Sequence, residues 1–559
     1  MSDRNRHSRP RHRRTLVAGA LVALLAASAA SRGAAQGTRA ADPDAWQFGG
    51  TCYEVFVRSF QDSNGDGIGD LGGLIQRLDY INDGNPAGGR DLGAQCIWLM
   101  PVAESPSYHG YDVSDYYRVE PDYGTNDDFR RLVAEAHRRG IKVLVDMVLN
   151  HASSEHPYFQ QALNDPASPY RGWFRFSPTK PAEASPNGGE AWHKSPVRDE
   201  WYYGVFWKGM PDLNYDTPAV REEANRVATF WLREMGVDGF RLDAVPYLVE
   251  QGDTLAGSRG THEVLRGYAA HVRSVNPHAW TVGEVWDRTD AMMAYYPDQL
   301  TSYFPFEVSD SLLSAVRHGD ARHLLDGYLR LQQALPGNRY SPFQRNHDQT
   351  RTVTALGGDT AKARLAATLL LTLPGLPFVY YGEEIGMTGD KPDERLRTPM
   401  QWSRATGLGF TTGTPWEAPQ ADTATVNVAA QDGNAGSLLN LYRRLIHLRA
   451  TNPALARGRL IPLTTSDPAV AAYLRREGER TVLVIANLGS AEVRRPAVAS
   501  GAGALPVRMY DLRSLLGGPI GGGMRGVDAH GRITRWVLVE TMKPGQVNVI
   551  EVAPGLRIR

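Results

Sequence analysis

The chain has 559 residues, with 61 Lys and Arg balanced by 61 Asp and Glu and 42% hydrophobic residues. That length gives room for two or three domains and a large buried core. Charge balance, with no basic run in the body of the chain, makes nucleic acid a poor candidate partner.

Residues 1–35 carry the three-part pattern of an export signal. Arg4, Arg6, Arg9, Arg11, Arg13 and Arg14 precede an apolar run over about 16–30, and small residues follow around Ala34 and Ala35. The run is short and Ala-rich for a membrane anchor. Cleavage would remove seven Arg and one Asp, leaving a mildly acidic protein of 54 basic and 60 acidic residues. No second apolar run is long enough to span a bilayer, so the expected product is exported to the periplasm or beyond, without membrane association and as a monomer.

Eight apolar, β-branched segments follow: residues 53–58, 97–101, 142–148, 237–243, 280–285, 303–306, 342–346 and 377–381. Amphipathic stretches such as 126–139 and 220–235 separate them. Strand and helix in alternation imply parallel βαβ units, and eight units imply an α/β fold of the closed (β/α)8 barrel, or TIM barrel, type. Cys52 and Cys96 begin two strands that should be neighbours. Export would permit a disulfide, but directly paired parallel strands offer poor bridge geometry, so two buried free thiols are the competing expectation.

One interval, 151–212, is too long for a single helix and is rich in Pro, Gly, Ser and aromatics, including Trp173, Trp192, Trp201, Tyr202, Tyr203 and Trp207. It reads as a small inserted domain over the barrel mouth. Its aromatics suit either sugar stacking or the packing of a small core, and packing is the default. After a helix around 438–449 the pattern turns to short strands near 470–474, 481–486 and 547–552, punctuated by Gly and Pro, which implies a C-terminal β-sandwich. The expected division is 46–150 and 213–455 for the barrel, 151–212 for the insert and 456–559 for the sandwich.

Three acids end three separate strands: Asp243 in Gly-Phe-Arg-Leu-Asp, Glu284 in Thr-Val-Gly-Glu-Val-Trp and Asp348 in Asn-His-Asp. Arg241 lies two residues before Asp243, on the same strand face, where a guanidinium keeps a nucleophilic carboxylate ionised. His347 precedes Asp348, and Asp146 to His151 closes another strand with an acid and an imidazole. A lone acid of this kind is ordinarily a strand-end cap or surface ion pair; four polar clusters ending four apolar strands form a site. Retaining cleavage of a glycosidic bond needs one carboxylate to attack and one carboxyl to donate a proton.

These stretches, in this order, resemble the alpha-amylase family, glycoside hydrolase family 13, near its oligo-1,6-glucosidase and neopullulanase intermediate branches. Met210 to Asn214 and Gly375 to Glu383 extend the match over most of the chain. The resemblance implies that Asp243 is the nucleophile, Glu284 the general acid/base and Asp348 the transition-state stabiliser. It implies that Arg241, His151 and His347 hold the sugar, with Tyr111 offering its ring and His109 nearby.

Between residues 62 and 70, oxygen side chains alternate with glycines, as a hard cation such as Ca2+ requires. An Asx-rich turn without an ion has the same spelling. Several family members bind calcium at such a loop, which implies one structural site with Asp62, Asn64, Asp66, the Ile68 carbonyl and Asp70 as ligands. A second calcium site common in the family's amylases is put in doubt by Ala244-Val245-Pro246-Tyr247.

Product clues diverge. Tyr108 stands where chain-end cleaving relatives carry a pocket-closing Asp, which favours an open cleft, and Ala244 looks like the α-1,4 type. Arg397 to Trp402 resembles the oligosaccharide-cleaving alpha-glucosidases, and Asp243 to Tyr247 the trehalose synthases. The expected function is therefore an alpha-amylase-type hydrolase of α-1,4-glucans or maltooligosaccharides, with an alpha-glucosidase or a transglycosylating enzyme such as a trehalose synthase as the alternative. A sugar-binding barrel without turnover is disfavoured by the intact set of three acids.

Overall fold

Seven short strands lie side by side in parallel: β1 (Cys52–Val55), β2 (Cys96–Leu99), β3 (Lys142–Met147), β4 (Gly239–Leu242), β5 (Trp280–Gly283), β6 (Ser302–Tyr303) and β7 (Phe378–Tyr380). Their order across the sheet is β6-β5-β4-β3-β2-β1-β7. The computed structural model describes residue 44 and residues 46–555, apart from 184 and 187, and the expected export signal lies outside them.

The eighth predicted strand, 342–346, forms no regular ladder. The Ser341 amide donates to the Tyr303 carbonyl, and the Phe378 amide donates to the Pro342 carbonyl. An extended segment thus fills the gap between β6 and β7 and closes the barrel. Pro342 has no N–H to give, so the pairing there cannot become a full ladder. β1, β2, β4 and β5 are buried along their whole length, as parallel strands covered on both faces must be. Trp98, Leu144, Trp280, Val282 and Phe378 join one buried cluster, so the barrel interior is packed rather than hollow.

The predicted helices form where the apolar spacing put them. In α1 (Asn126–Arg138), Phe129, Leu132, Val133 and Ala136 make one buried face, and Thr125 with Asp128 builds a capping box at the N-terminus. Helix α2 (Pro218–Thr229) runs into a π-turn over Phe230–Glu234, so its last turn is wider than the period implied.

The expectation of free thiols is corrected. Cys52 and Cys96 form a disulfide, with their Cα atoms 4.3 Å apart. They are direct register partners at the first rung of β1 and β2, where the strands have only just come together and the backbones can approach at the short end of the span a disulfide bridges.

Within 151–212 a three-stranded antiparallel sheet forms from Phe176–Ser177, Trp192–Lys194 and Trp201–Tyr203. Its aromatics mostly build its own core: Trp192 and Tyr203 pack with Ala191 and Val205, and Tyr202 packs on Phe159. Trp207 stays about half exposed.

At the C-terminal end, a six-stranded antiparallel sheet includes Val470–Glu477, Arg480–Asn487 and Val547–Pro554. A smaller sheet adds Thr464–Thr465, Ala497–Ala499 and Trp536–Val537. Leu474, Leu483, Ile485, Val498, Trp536 and Ile550 are buried together as the sandwich core.

Candidate active site

Strand register builds the site. Arg241 on β4 is paired with Asp146 on β3 and with Val282 on β5. Asp243 and Glu284 each lie two residues beyond those rungs, hence on the same face and one step nearer the barrel mouth. Arg241 is 1% exposed and meets all three acids. Its Nη1 donates to Asp146 Oδ1 at 3.0 Å and to Asp243 Oδ1 at 2.6 Å, and its Nη2 lies 2.8 Å from Glu284 Oε2.

Ala244, directly after Asp243, adopts a left-handed conformation at φ 47°, which for a residue with a Cβ costs about 1–2 kcal/mol. The turn aims the Ala244 amide at Glu284 Oε2, 3.1 Å away. Backbone strain here fixes the spatial relation of two acids.

Asp348 is gripped from two sides. Arg397 Nη2 lies 2.8 Å from its Oδ1, and His347 Nε2 lies 3.1 Å from its Oδ2. His347 is itself sandwiched: its Nδ1 is 2.6 Å from Glu54 Oε1 and its Nε2 is 2.7 Å from the Tyr111 hydroxyl. That hydroxyl donates to Asp146 Oδ2 at 3.0 Å, so Tyr111 ties the two clusters together.

These contacts separate the acids electrostatically. Burial pushes Glu284 up to about 7, reinforced by Asp243 and Asp348 and opposed by Arg241. Burial also raises Asp243, but Arg241 limits it to about 6. Although burial pushes Asp348 up, His347 and Arg397 hold it well below the usual carboxylate range. Burial works against a charged His347, yet Asp348 and Glu54 raise it to about 9. Near neutral pH the site therefore holds an ionised Asp348, a mostly ionised Asp243 and a Glu284 that still carries a proton in part of the population.

A cavity of about 570 Å³ opens above them, lined by Asp243, Glu284, Asp348, His109, Tyr111 and His151, with Arg397, Phe206 and Trp286 in its wall. The sequence-predicted residues converge, with one difference of position. Arg241 and His347, expected to hold the sugar, sit behind the acids and spend their donors on carboxylates. His151 lines the cavity and its Nε2 lies 3.0 Å from the Tyr111 carbonyl; burial pushes its pKa down to about 4, so it is neutral. His109 accepts the Tyr111 amide at 3.1 Å.

Residues 54–458 match the alpha amylase catalytic domain family. The chain belongs to the alpha-amylase family. It is 38% identical over 454 residues to alpha-amylase 3 of Dictyoglomus thermophilum, covering 80% of this chain and 86% of that protein. It is 35% identical over 483 residues to a trehalose synthase/amylase of Mycolicibacterium smegmatis, covering 76% of this chain and 79% of that one. A crystal structure of alpha-amylase from H. orenii superimposes with a TM-score of 0.78 at 38% identity, over 90% of this chain and 99% of that one. The protein is an alpha-glycosidase of the alpha-amylase family, acting on an oligosaccharide substrate.

Two parts of this alpha-amylase family site were not read from the sequence. Glu54 is the carboxylate that orients His347; a lone Glu in the otherwise apolar β1 was the signal for it. Arg397 was read only as a product clue, yet it is a direct partner of Asp348.

The loop 62–70 is closed by its own hydrogen bonds. Asp62 accepts the amides of Asn64, Gly65 and Gly67 and the Thr411 hydroxyl, and Asp70 accepts the Ser63 amide and hydroxyl and the Gly73 amide. Burial raises Asp62, but the Thr411 hydroxyl and these amides outweigh it and lower its pKa. Asp66 accepts the Ile68 amide and the Asn64 side chain. A Cβ on Gly67, at φ +93°, would meet the Thr414 carbonyl at 1.9 Å, so only glycine permits this turn. Among the described residues, no three His, Cys, Asp or Glu side chains converge tightly enough to hold a metal ion as they stand. The donor set is all oxygen, as calcium prefers, but an ion there would have to replace some of the internal bonds.

Proposed function

We propose that this protein is an exported, retaining hydrolase of α-1,4-linked glucans or maltooligosaccharides. The observation that carries the mechanism is Arg241 bridging Asp243 and Glu284 at the floor of the cavity. Asp243 attacks the anomeric carbon while Glu284 passes its proton to the glycosidic oxygen, which leaves with the outgoing sugar. Glu284, now a carboxylate, takes a proton from the water that hydrolyses the glycosyl ester, and Asp243 is released. Asp348, ionised by His347 and Arg397, stabilises the positive charge that develops on the sugar in both transition states. Export rests on the pattern of residues 1–35.

Linkage rests on Ala244, whose small side chain borders the cavity beside the nucleophile. A β-branched residue there would narrow the space that receives the leaving sugar. Such pocket differences are worth about 1–3 kcal/mol, so maltotetraose should be cut faster than isomaltose or panose. Proton NMR of early products tests the whole reading: α-configured maltooligosaccharides should appear first. A β product would exclude a covalent intermediate on Asp243, and isomaltose as the best substrate would exclude the linkage. Transglycosylation is favoured by the Asp243 to Tyr247 spelling and by the 35% identity to the trehalose synthase/amylase; trehalose formed from maltose in the same experiment would establish it.

The pH dependence follows from the two acids. Activity rises as Asp243 ionises through about 6 and falls as Glu284 loses its proton through about 7. The expected kcat/KM profile is a narrow bell centred at about pH 6.5. A flat profile from about pH 5 to about pH 9 would separate Glu284 from the proton-donor role.

For the loop 62–70 we propose a structural calcium ion held by Asp62, Asn64, Asp66, the Ile68 carbonyl and Asp70. Chelation should then lower the melting temperature and calcium should restore it, because a ligand that binds only the folded state stabilises it. Calcium-free purified protein whose melting temperature does not respond to calcium would leave the loop as an Asx turn.

A further inference from the structure

Arg241, Arg351, Arg449 and Arg475 are among the largest side chains withdrawn fully from solvent. Two of them face acids. Arg241 meets Asp146, Asp243 and Glu284, and Arg351 lies within electrostatic reach of Glu383 and Glu384. Arg449 and Arg475 are both 0% exposed, yet among the described residues neither is paired with a carboxylate. Arg449, near the end of the helix Leu438–Thr451, donates to the carbonyls of Leu371, Leu373 and Gly375. Arg475, on the C-terminal strand Val470–Glu477, donates to the carbonyls of Gly458 and Thr372. Carbonyl dipoles satisfy N–H groups but carry no net charge, so two cations share one buried turn without a counter-charge, an arrangement that burial penalises heavily. Burial pushes Arg449 down to about 9, with Arg475 adding to the fall, and Arg475 down to about 10.

The same turn gathers further donors. Tyr473 precedes Arg475 by two residues and so shares its face of the strand, and its hydroxyl lies 2.6 Å from Thr372 Oγ1. A Cβ on Gly375 would meet Tyr340 Cε2 at 2.9 Å, which places the Tyr340 ring against the turn, and the Tyr328 ring centroid is 6.3 Å from that of Tyr340. Burial raises both tyrosines, so each keeps its proton. The Tyr328 and Tyr340 hydroxyls, Arg449 Nε and Arg475 Nη2 are buried and find no hydrogen-bond partner among the described residues. Four unmet donors, two of them on cations, call for a negative charge. Water would accept from them but would leave both cations uncompensated.

We infer that the turn 371–376, with Arg449, Arg475, Tyr328 and Tyr340, binds a small monovalent anion, chloride in ordinary salt. One nitrogen of each guanidinium is left unmet, so neither presents the two-pronged fork that grips a carboxylate or phosphate, and single donors suit a spherical halide. The turn precedes β7, whereas the catalytic acids follow their strands, so the anion lies at the opposite end of the barrel from the cavity. Arg449 belongs to the helix before the sandwich and Arg475 to the sandwich itself. The anion therefore fastens the C-terminal sheet to the barrel and acts on stability, independently of the reaction catalysed.

The first test is crystallographic. Crystals of the intact protein grown with bromide as the only halide should give an anomalous scattering peak against Arg475 Nη2 and Arg449 Nε; no peak there would overturn the inference. Melting supplies the second, because an ion held only by the folded state raises the melting temperature with its concentration. When chloride replaces gluconate, an anion too bulky for a buried site, at constant ionic strength, the melting temperature should rise by about 2 °C or more and then level off. Arg449→Met combined with Arg475→Met removes both charges, and with them the response to chloride. Tyr340→Phe deletes one hydroxyl from an otherwise unchanged shape and should raise the chloride concentration at half-effect about threefold or more. A native protein indifferent to chloride, or a response as large in these variants as in the native protein, would sink the proposal. If the doubly substituted protein fails to fold, Tyr340→Phe and the bromide crystals still decide.

Discussion

Asp243→Asn should lower kcat by about 10⁴-fold or more while the protein stays folded. The amide keeps the shape of the carboxylate and its oxygen can still accept from Arg241 Nη1, 2.6 Å away in the native protein. What disappears is the negative charge that makes the side-chain oxygen a nucleophile toward the anomeric carbon. The effect is compounded at Glu284, because Asp243 is one of the charges that raise its pKa; without it the proton donor is lost at lower pH. Cutting the side chain back instead, as Asp243→Ala, leaves space for azide to attack from the vacated side. With α-glucosyl fluoride, whose leaving group needs no proton, the product should be β-glucosyl azide. Near-native turnover by Asp243→Asn, or an α-azide from Asp243→Ala, would remove Asp243 from the nucleophile's role.

Arg241→Met should be damaging in a different way, through both stability and activity. The guanidinium is buried and touches Asp146, Asp243 and Glu284. Met fills much the same volume but leaves three buried carboxyl groups without their shared cation. Removing one member of a buried charge cluster typically destabilises by about 3–5 kcal/mol, which should appear as a melting temperature several degrees lower. The acids would relieve the strain by taking up protons. Arg241 holds Asp243 down against burial, so its removal raises Asp243 above about 6 and makes it protonated, and inert, at neutral pH. Arg241→Lys restores a single charge but cannot fork toward Asp243 and Glu284 at once, so it should recover stability more than turnover. A Met variant with native melting temperature and native kcat would show that the bridge is incidental.

The contrast between the two substitutions reflects what each residue does. In the proposed mechanism Asp243 acts on the substrate, and its loss is a loss of chemistry. Arg241 acts on the acids, and its loss is first a failure of burial. Both fall on β4 and its C-terminal end, and the alternation of a strand is what puts them on one face.

That alternation was legible without coordinates, as were the barrel, the insert, the sandwich and the three acids, because each depends on local pattern: apolar runs of strand length, helical spacing, and polar residues ending a strand. The identity of Asp243, Glu284 and Asp348 is a property of the sequence in this sense. Other features depend on what register and closure bring together. Glu54 becomes the partner of His347 only when the first strand and the segment before Asp348 meet across the barrel, 293 residues apart in the chain. Arg397 reaches Asp348 by the same kind of closure. Cys52 and Cys96 pair because β1 and β2 align them at one rung, a distance that no spacing rule supplies. The eighth strand position is occupied but not laddered, because Pro342 cannot donate where its neighbour would accept. Trp286, after β5, lies flat on Phe306 at the start of a later helix, a contact that only packing supplies. Local pattern determined which residues are candidates for the chemistry; long-range packing alone decided which of them touch, and so which carboxylate is held charged and which is pushed toward its protonated form.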